Sequence, residues 1–168
     1  KDWGRYYENS IDVPGPETGQ LGELAAAHGA YLSIGVMERE GGTLFCTLLY
    51  FGPDGSLLAK HRKLKPTGSE RLIWGEGDGS TLAAINTPYG VMSGLICWEN
   101  RMPLARWALY EGGPQIWLAP TADDSGSWIA SMRHIAIEAG AFVVSVPQYI
   151  PASAFPEDFP LPLPPDDA

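Results

Sequence analysis

The chain has 168 residues, of which 45% are hydrophobic and 11% aromatic, enough apolar material to bury the core of one globular domain. Eleven Lys and Arg residues against twenty Asp and Glu residues give a formal net charge of −9, which repels phosphate backbones and anionic membrane surfaces. These values argue against nucleic acid and membranes as partners, and no apolar run reaches the roughly 18 residues that a bilayer-spanning helix needs.

Hydrophobic spacing predicts strands and helices that alternate in the second half of the chain. The expected helices are 17–28, 103–110 and 128–139, and the expected strands are 31–37, 43–51, 57–61, 82–86, 91–97, 115–119 and 141–146. Turn signals at 54–55 and 87–90 join neighbouring strands into two hairpins. Because strands alternate with helices after residue 97, we expect an α/β fold with a layered sheet.

Two stretches interrupt this pattern. Residues 65–80 carry four glycines among charged residues, and a loop of this length indicates a functional role rather than a simple connection. Residues 151–168 contain six prolines, which exclude a helix or a central strand. We therefore expect one domain over residues 1–150, followed by a proline-rich tail over residues 151–168.

The two cysteines, Cys46 and Cys97, are too few for a disulfide framework, and residues 1–5 lack the apolar core of a signal peptide. A cytoplasmic location is the expectation. Cys97 ends an apolar run that reads as a buried strand and is followed at once by polar residues. A nucleophile fits this place because the turn after a strand leaves backbone N–H groups free to face a developing negative charge. A buried cysteine that packs as a small hydrophobe fits equally well.

A cysteine nucleophile needs a base and a cation, and the chain offers candidates for both. Residues 60–65 place four cations and a histidine at the end of a predicted strand, although a solvated basic edge explains them as well. Glu70 and Glu76 lie in the glycine-rich loop, where a solvated carboxylate is the simple alternative. His134 lies within a predicted helix, which favours a core or helix-packing histidine over a partner for Cys97.

No metal or cofactor is expected from these residues. The other two histidines, His28 and His61, have no metal-ligand spacing with either cysteine. The glycines at 75–79 lack the Lys-Ser or Lys-Thr of a phosphate loop. Thr121 follows a predicted strand in Pro-Thr-Ala-Asp-Asp, where a pocket role and an Asp cap for the next helix are both open.

Six segments, read together, resemble the nitrilase branch of the carbon–nitrogen hydrolase superfamily. They are 12–17 (DVPGPE), 62–67 (RKLKPT), 70–80 (ERLIWGEGDGS), 97–100 (CWEN), 120–124 (PTADD) and 131–136 (SMRHIA). The resemblance covers nearly all of residues 5–160. Agreement of several unrelated segments in the same order makes it specific, whereas CWEN alone would only be suggestive.

The resemblance implies an α-β-β-α sandwich of the nitrilase type, here incomplete, with a Glu-Lys-Cys catalytic set. Carried over by position, Cys97 is the nucleophile, Lys63 is the cation and Glu70 is a second, positioning glutamate. The neighbours expected in the substrate pocket or oxyanion site are Trp98, Glu99 and Thr121. Cys46 is expected to point into the core and away from this cleft.

The first glutamate of the family lies on an early strand, upstream of the counterpart of Lys1. We therefore expect residues 1–150 to form a partial carbon–nitrogen hydrolase domain without that base, and expect residues 1–168 alone to show little nitrile hydrolysis. Uncovered sheet strands should also favour self-association.

The implied function is hydrolysis of carbon–nitrogen bonds other than peptide bonds. A small nitrile would be converted to a carboxylic acid and ammonia through a thioimidate on Cys97, without a cofactor, in a homo-oligomer. An amidase or cyanide-hydrating relative is a second possibility. A third is a catalytically inactive chain that serves only as an oligomerising or interaction module. The sequence leaves the preferred nitrile, the acid-to-amide ratio and the oligomer order open.

Overall fold

The computed structural model describes residues 2–155, and the part of the expected tail at 156–168 lies outside them. Four α-helices and eight β-strands occur within these described residues. In chain order they are α1 (Asp2–Glu8), β1 (Ile11–Asp12), α2 (Pro16–His28), β2 (Leu32–Glu40), β3 (Thr43–Phe51), β4 (Leu57–Arg62), β5 (Ile85–Thr87), β6 (Gly90–Gly94), α3 (Pro103–Tyr110), β7 (Ile116–Thr121), α4 (Gly126–Ala139) and β8 (Phe142–Pro147).

The first sheet has the order β1-β2-β3-β4, with β1 parallel to β2 and the other pairs antiparallel. The expected hairpin between β3 and β4 forms because Gly55 adopts a φ of 85° and Asp54 accepts a hydrogen bond from the Ser56 amide. Helix α2 covers one face of this sheet, packing Ala25 against Leu49 and Phe51.

The second sheet has the order β5-β6-β7-β8, and its last three strands are parallel. Parallel neighbours require crossover connections, which α3 and α4 provide, as the alternation in the sequence predicts. Both helices pack on one face of the sheet over the fully buried Trp117, together with Leu109 and Ile135.

The two sheets face each other across a third apolar cluster. Leu48 and Tyr50 of β3 meet Ile85, Met92 and Ile96 from the second sheet. The layers therefore run α2, first sheet, second sheet, α3 with α4, which is the expected α-β-β-α sandwich.

The element boundaries differ from the sequence prediction in informative places. The strand expected at 91–97 ends at Gly94, because the chain turns into a 3₁₀ helix at Cys97–Arg101. The strand expected at 82–86 is reduced to β5. Helix α1 was not expected, since seven residues with no apolar repeat give no periodic signal. None of the helices within residues 2–155 is both long and apolar enough to cross a bilayer.

Candidate active site

Cys97 sits on a sharp turn after β6. Its φ of 51° is left-handed, a conformation that non-glycine residues adopt rarely and mostly where the surrounding structure enforces it. The Asn100 side-chain amide enforces it here by donating to the carbonyl oxygens of Leu95, at 2.7 Å, and Cys97, at 2.9 Å. Gly94 lets the preceding strand lie close to β7, because a Cβ there would stand 2.0 Å from the Leu118 oxygen. The turn thus holds the thiol at the end of a rigid strand.

A hydroxyl donates directly to the sulfur of Cys97. Thr121, at the end of β7, places its Oγ1 3.2 Å from Cys97 Sγ. The same oxygen accepts a hydrogen bond from the Asp123 amide at 2.8 Å, which fixes the hydroxyl and leaves its proton for the sulfur. A donor in this position stabilises a thiolate more than a thiol.

Lys63 follows β4 and is almost completely buried, with 1% of the residue exposed. Its amide donates to the Cys46 oxygen at 2.8 Å, which continues the pairing of β4 with β3. Its Nζ donates to Glu70 Oε2 at 2.7 Å, and this oxygen also accepts from the Thr67 amide at 2.5 Å. A buried ammonium needs such a partner, because an unpaired charge in the interior is strongly destabilising. The structure therefore brings together Lys63 and Glu70, the expected cation and the expected positioning glutamate.

Glu99 links the lysine segment to the nucleophile turn. Its buried carboxylate accepts from the Leu64 amide at 2.7 Å through Oε1 and from the Ile96 amide at 2.8 Å through Oε2. Leu64 follows the lysine and Ile96 precedes the cysteine. His61 Nε2 lies 3.0 and 2.9 Å from the same two oxygens. These contacts engage the carboxylate with protein groups, and its expected place in the substrate pocket or oxyanion site stays a prediction.

Trp98 lies at the surface next to the nucleophile, with 44% of the residue exposed. Its indole N–H donates to Asp123 Oδ2 at 2.7 Å, and the Arg101 guanidinium lies 4.5 Å from the centre of its ring. The ring is thereby fixed beside the turn, and its role in the substrate pocket stays a prediction.

Cys46 points into the core, as expected, but it lies close to the site, so the expectation that it points away from the cleft is wrong. On the inner face of β3, it packs against the same apolar cluster as Cys97. Burial raises the pKa of the Cys46 thiol to about 12, against the opposing effect of the nearby Lys63 ammonium, and the charges of Glu70 and Cys97 raise it further. The alternation of a strand explains this position, because the partner strand places Cys46 beside the lysine.

His134 is neither a partner of the nucleophile nor a core residue. Its side chain is 63% exposed on α4, where Nε2 lies 3.4 Å from Glu138. Hydrogen bonds from Arg106 and Tyr110 lower the pKa of Glu138 to about 2, which makes that carboxylate a weak base. Residues 2–155 hold no group of three His, Cys, Asp or Glu side chains placed to bind a metal ion.

Sequence reasoning missed two residues that shape the site, His61 and Asn100. A signal for His61 existed, because residues two apart on a strand share a face, and Lys63 lies two residues further on. Asn100 gave no such signal, since its amide acts on carbonyl groups of a turn whose geometry becomes visible only in the folded chain.

Comparison with known proteins identifies the family to which the chain belongs. A family model described as carbon–nitrogen hydrolase matches residues 1–150. The chain belongs to the carbon–nitrogen hydrolase family. Within that family it is similar to nitrilases. It is 57% identical over 157 residues to an aliphatic nitrilase of Sinorhizobium fredii (strain HH103), covering 94% of this chain and 51% of that protein.

A plant relative and a solved structure extend the comparison. The chain is 51% identical over 156 residues to a bifunctional nitrilase/nitrile hydratase of Lupinus angustifolius, covering 93% of this chain and 45% of that protein. A mutant of the amidase from Nesterenkonia sp. AN1 has a similar fold, with a TM-score of 0.70, 22% identity, and coverage of 77% of this chain and 51% of that one. The chain spans about half the length of the curated relatives it matches.

Proposed function

We propose that the protein is a nitrilase-type hydrolase that converts an organic nitrile to a carboxylic acid and ammonia. The observation that carries the proposal is a pair of hydrogen bonds to the Glu99 carboxylate. One comes from the backbone amide that follows the buried Lys63, and the other from the backbone amide that precedes Cys97. A thiol on a strained turn and an ammonium paired with Glu70 supply a nucleophile and a cation. The similarity to nitrilases supports nitriles as the substrate class.

The reaction begins with loss of the Cys97 proton. A free thiol has a pKa of about 8.5, so a base is needed to raise the thiolate fraction at neutral pH. The family resemblance assigns this task to a glutamate on a strand upstream of the counterpart of Lys1. Glu70 is less suited, because its Oε2 already accepts hydrogen bonds from Lys63 Nζ and from the Thr67 amide. The hydroxyl of Thr121 stabilises the sulfur anion once it forms.

Attack of the sulfur on the nitrile carbon forms a C–S bond and moves an electron pair of the triple bond onto nitrogen. Lys63 stabilises that nitrogen anion and can donate the proton that makes it a neutral thioimidate. Water then adds to the carbon, and a further proton allows the C–N bond to break with release of ammonia. A second water hydrolyses the resulting thioester, giving the carboxylic acid and regenerating Cys97.

An amide is the second product that the same intermediate can give. If the tetrahedral adduct of water and thioimidate expels the sulfur instead of ammonia, the product is an amide and the reaction is nitrile hydration. A relative at 51% identity is named as bifunctional in this sense, which supports a mixed product. The ratio depends on which leaving group receives the proton.

The test is ammonia release from nitriles by the gene product that contains residues 1–168. Cys97→Ala should abolish turnover because the covalent intermediate cannot form, and Lys63→Ala should reduce it by at least about 100-fold because the nitrogen anion loses its cation. Cys46→Ala is the matched control, with an effect mainly on stability. Near-normal turnover by Cys97→Ala would rule out the assigned nucleophile.

A further inference from the structure

We infer that His61 and Glu99 form a positioning clamp that sets the separation between the Lys63 ammonium and the Cys97 sulfur. The inference rests on the proposed function for its kinetic consequences. Both side chains are about 1% exposed, and both oxygens of the Glu99 carboxylate are engaged by protein groups. Their role is to hold two catalytic segments that belong to different sheets.

The carboxylate side of the clamp uses both oxygens in the same way. A carboxylate offers about four acceptor positions, two on each oxygen. Oε1 of Glu99 binds the Leu64 amide and faces His61 Nε2, while Oε2 binds the Ile96 amide and faces the same nitrogen. One planar group therefore spans from the lysine segment of the first sheet to the nucleophile turn of the second. A shift of either segment would break a charge-assisted hydrogen bond in the interior.

The histidine side of the clamp is held by the strand and by Thr81. His61 of β4 pairs with Leu48 of β3, and it shares a sheet face with Lys63, which lies two residues further on. Thr81 Oγ1 lies 3.4 Å from His61 Nδ1, and it accepts a hydrogen bond from the Arg62 amide at 3.0 Å. An ionised carboxylate can only accept, so Nε2 carries the ring proton that faces Glu99, and the threonine hydroxyl can then donate to Nδ1. This tautomer makes His61 a donor to Glu99.

The distance between the sulfur and the ammonium must be precise, because both groups act on the same substrate group. A misplacement of about 1 Å between reacting groups can cost on the order of 100-fold in rate. The sheets also meet through the side chains of the apolar cluster, whose packing is non-directional. The hydrogen bonds between His61 and Glu99 are directional, and they orient the two sheets relative to each other.

The kinetic test compares a broken clamp with a conservative one. His61→Leu should lower kcat by about 100-fold and leave KM within about threefold, because the substrate still binds but the cation is misplaced. His61→Gln can keep an N–H near the position of Nε2 and should recover most of that loss. Glu99→Gln turns an NH₂ group toward a backbone N–H and should lower kcat as much as His61→Leu does. This second variant tests the clamp even if the leucine variant does not fold. His134→Gln is the matched control on an exposed His–Glu pair and should behave as wild type.

A second readout does not depend on turnover. The chain has three histidines, so His61→Gln and His134→Gln assign the imidazole nitrogens in a spectrum of ¹⁵N-histidine-labelled protein. We expect an exchange-protected proton on Nε2 of His61 and none on its Nδ1. The reverse tautomer, or a rapidly exchanging proton, would overturn the clamp. So would unchanged kcat in folded His61→Leu and Glu99→Gln. Absence of nitrile turnover in wild type with the protected proton present would instead reject the proposed function alone.

Discussion

At the scale of single residues, the sulfur of Cys97 has one hydrogen-bond donor whose effect can be measured without any substrate. Thr121 donates to it from 3.2 Å and is itself fixed by the Asp123 amide. A hydrogen bond to a charged group contributes about 1.5–3 kcal/mol, whereas one to a neutral group contributes about 0.5–1.5 kcal/mol. The difference favours the thiolate, which is the reactive form.

Thr121→Val should therefore slow alkylation of Cys97 by iodoacetamide at neutral pH by about tenfold, since the isosteric side chain removes the donor to the sulfur, together with the acceptor of the Asp123 amide. Thr121→Ser keeps the hydroxyl and is the matched control. Mass spectrometry of the alkylated peptides separates Cys97 from Cys46, whose raised pKa of about 12 leaves it unreactive under these conditions. Equal rates for the valine and serine variants would show that the hydroxyl does not act on the sulfur.

The candidate site could be predicted from sequence only where a residue type and its motif were both distinctive. Cys97 ends an apolar run inside CWEN, and Lys63 lies in a basic strand end whose motif is specific. Glu99 has the same motif support, yet sequence cannot show that its carboxylate binds two backbone amides rather than facing a ligand. The strand position of His61 places it on the face of Lys63, but its pairing with Glu99 depends on two segments that are distant in sequence.

At the scale of elements, the strand that delivers Lys63 is fixed by a buried charge cluster on the other face of the first sheet. Glu38 of β2 accepts from Lys60 at 2.5 Å, from Arg62 at 2.6 and 2.9 Å, and from Thr47 at 2.8 Å. Burial by itself would raise the pKa of Glu38, but the hydrogen bonds from Arg62, Lys60 and Thr47 outweigh it and lower the pKa to about 2. The cluster ties β4 to its neighbours directly before the lysine.

This cluster predicts an acid-sensitive contribution to stability. The folded-state pKa of about 2 lies below the ordinary value of 4.5, so the contribution is complete above about pH 4.5 and is lost as the pH falls toward 2. Glu38→Gln should lower the free energy of unfolding at pH 7 by roughly 3 kcal/mol and flatten its fall between pH 4.5 and 2. Urea unfolding at several pH values measures both effects.

Glu40→Gln is the control for that experiment, because Glu40 pairs with the same Arg62 but is exposed to solvent. The hydrogen bond from Arg62 also lowers the pKa of Glu40, but an exposed ion pair contributes little, so the control should keep most of the pH dependence of wild type. An acid profile of Glu38→Gln that coincides with that of wild type would contradict the role of the cluster.

Most elements could be predicted because their local signals agree with the fold. Strand β3 matches its predicted bounds, since an apolar run ends at a Pro-Asp-Gly turn. The strand before Cys97 was extended too far, because Leu95 and Ile96 are as apolar as strand residues. The chain leaves the sheet there because of side-chain hydrogen bonds and not because of local propensity. The Glu99 carboxylate accepts from the Ile96 amide, and the Asn100 side chain donates to the Leu95 oxygen.

At the scale of the whole molecule, apolar side chains remain uncovered on the second sheet. Phe142, Val144 and Val146 of β8 pair in register with Ile116, Leu118 and Pro120, so they lie on the face that elsewhere packs against the first sheet. Phe142 is nevertheless 80% exposed and Val146 62% exposed. Exposed apolar surface of this kind favours association with another protein surface.

Residues 1–168 expressed alone should therefore self-associate rather than sediment as an 18.1 kDa monomer. The double substitution Phe142→Lys/Val146→Lys should shift the sedimentation profile toward the monomer, because lysine charges oppose burial of this face. Tyr89→Lys is the matched control, since Tyr89 is 78% exposed in the turn between β5 and β6, and β7 separates that hairpin from β8. Sedimentation velocity at several concentrations distinguishes the outcomes. A wild-type monomer at every concentration would contradict self-association, and an unshifted double variant would exclude β8 as the contact and direct attention to the exposed Leu104 of α3 and Ile137 of α4.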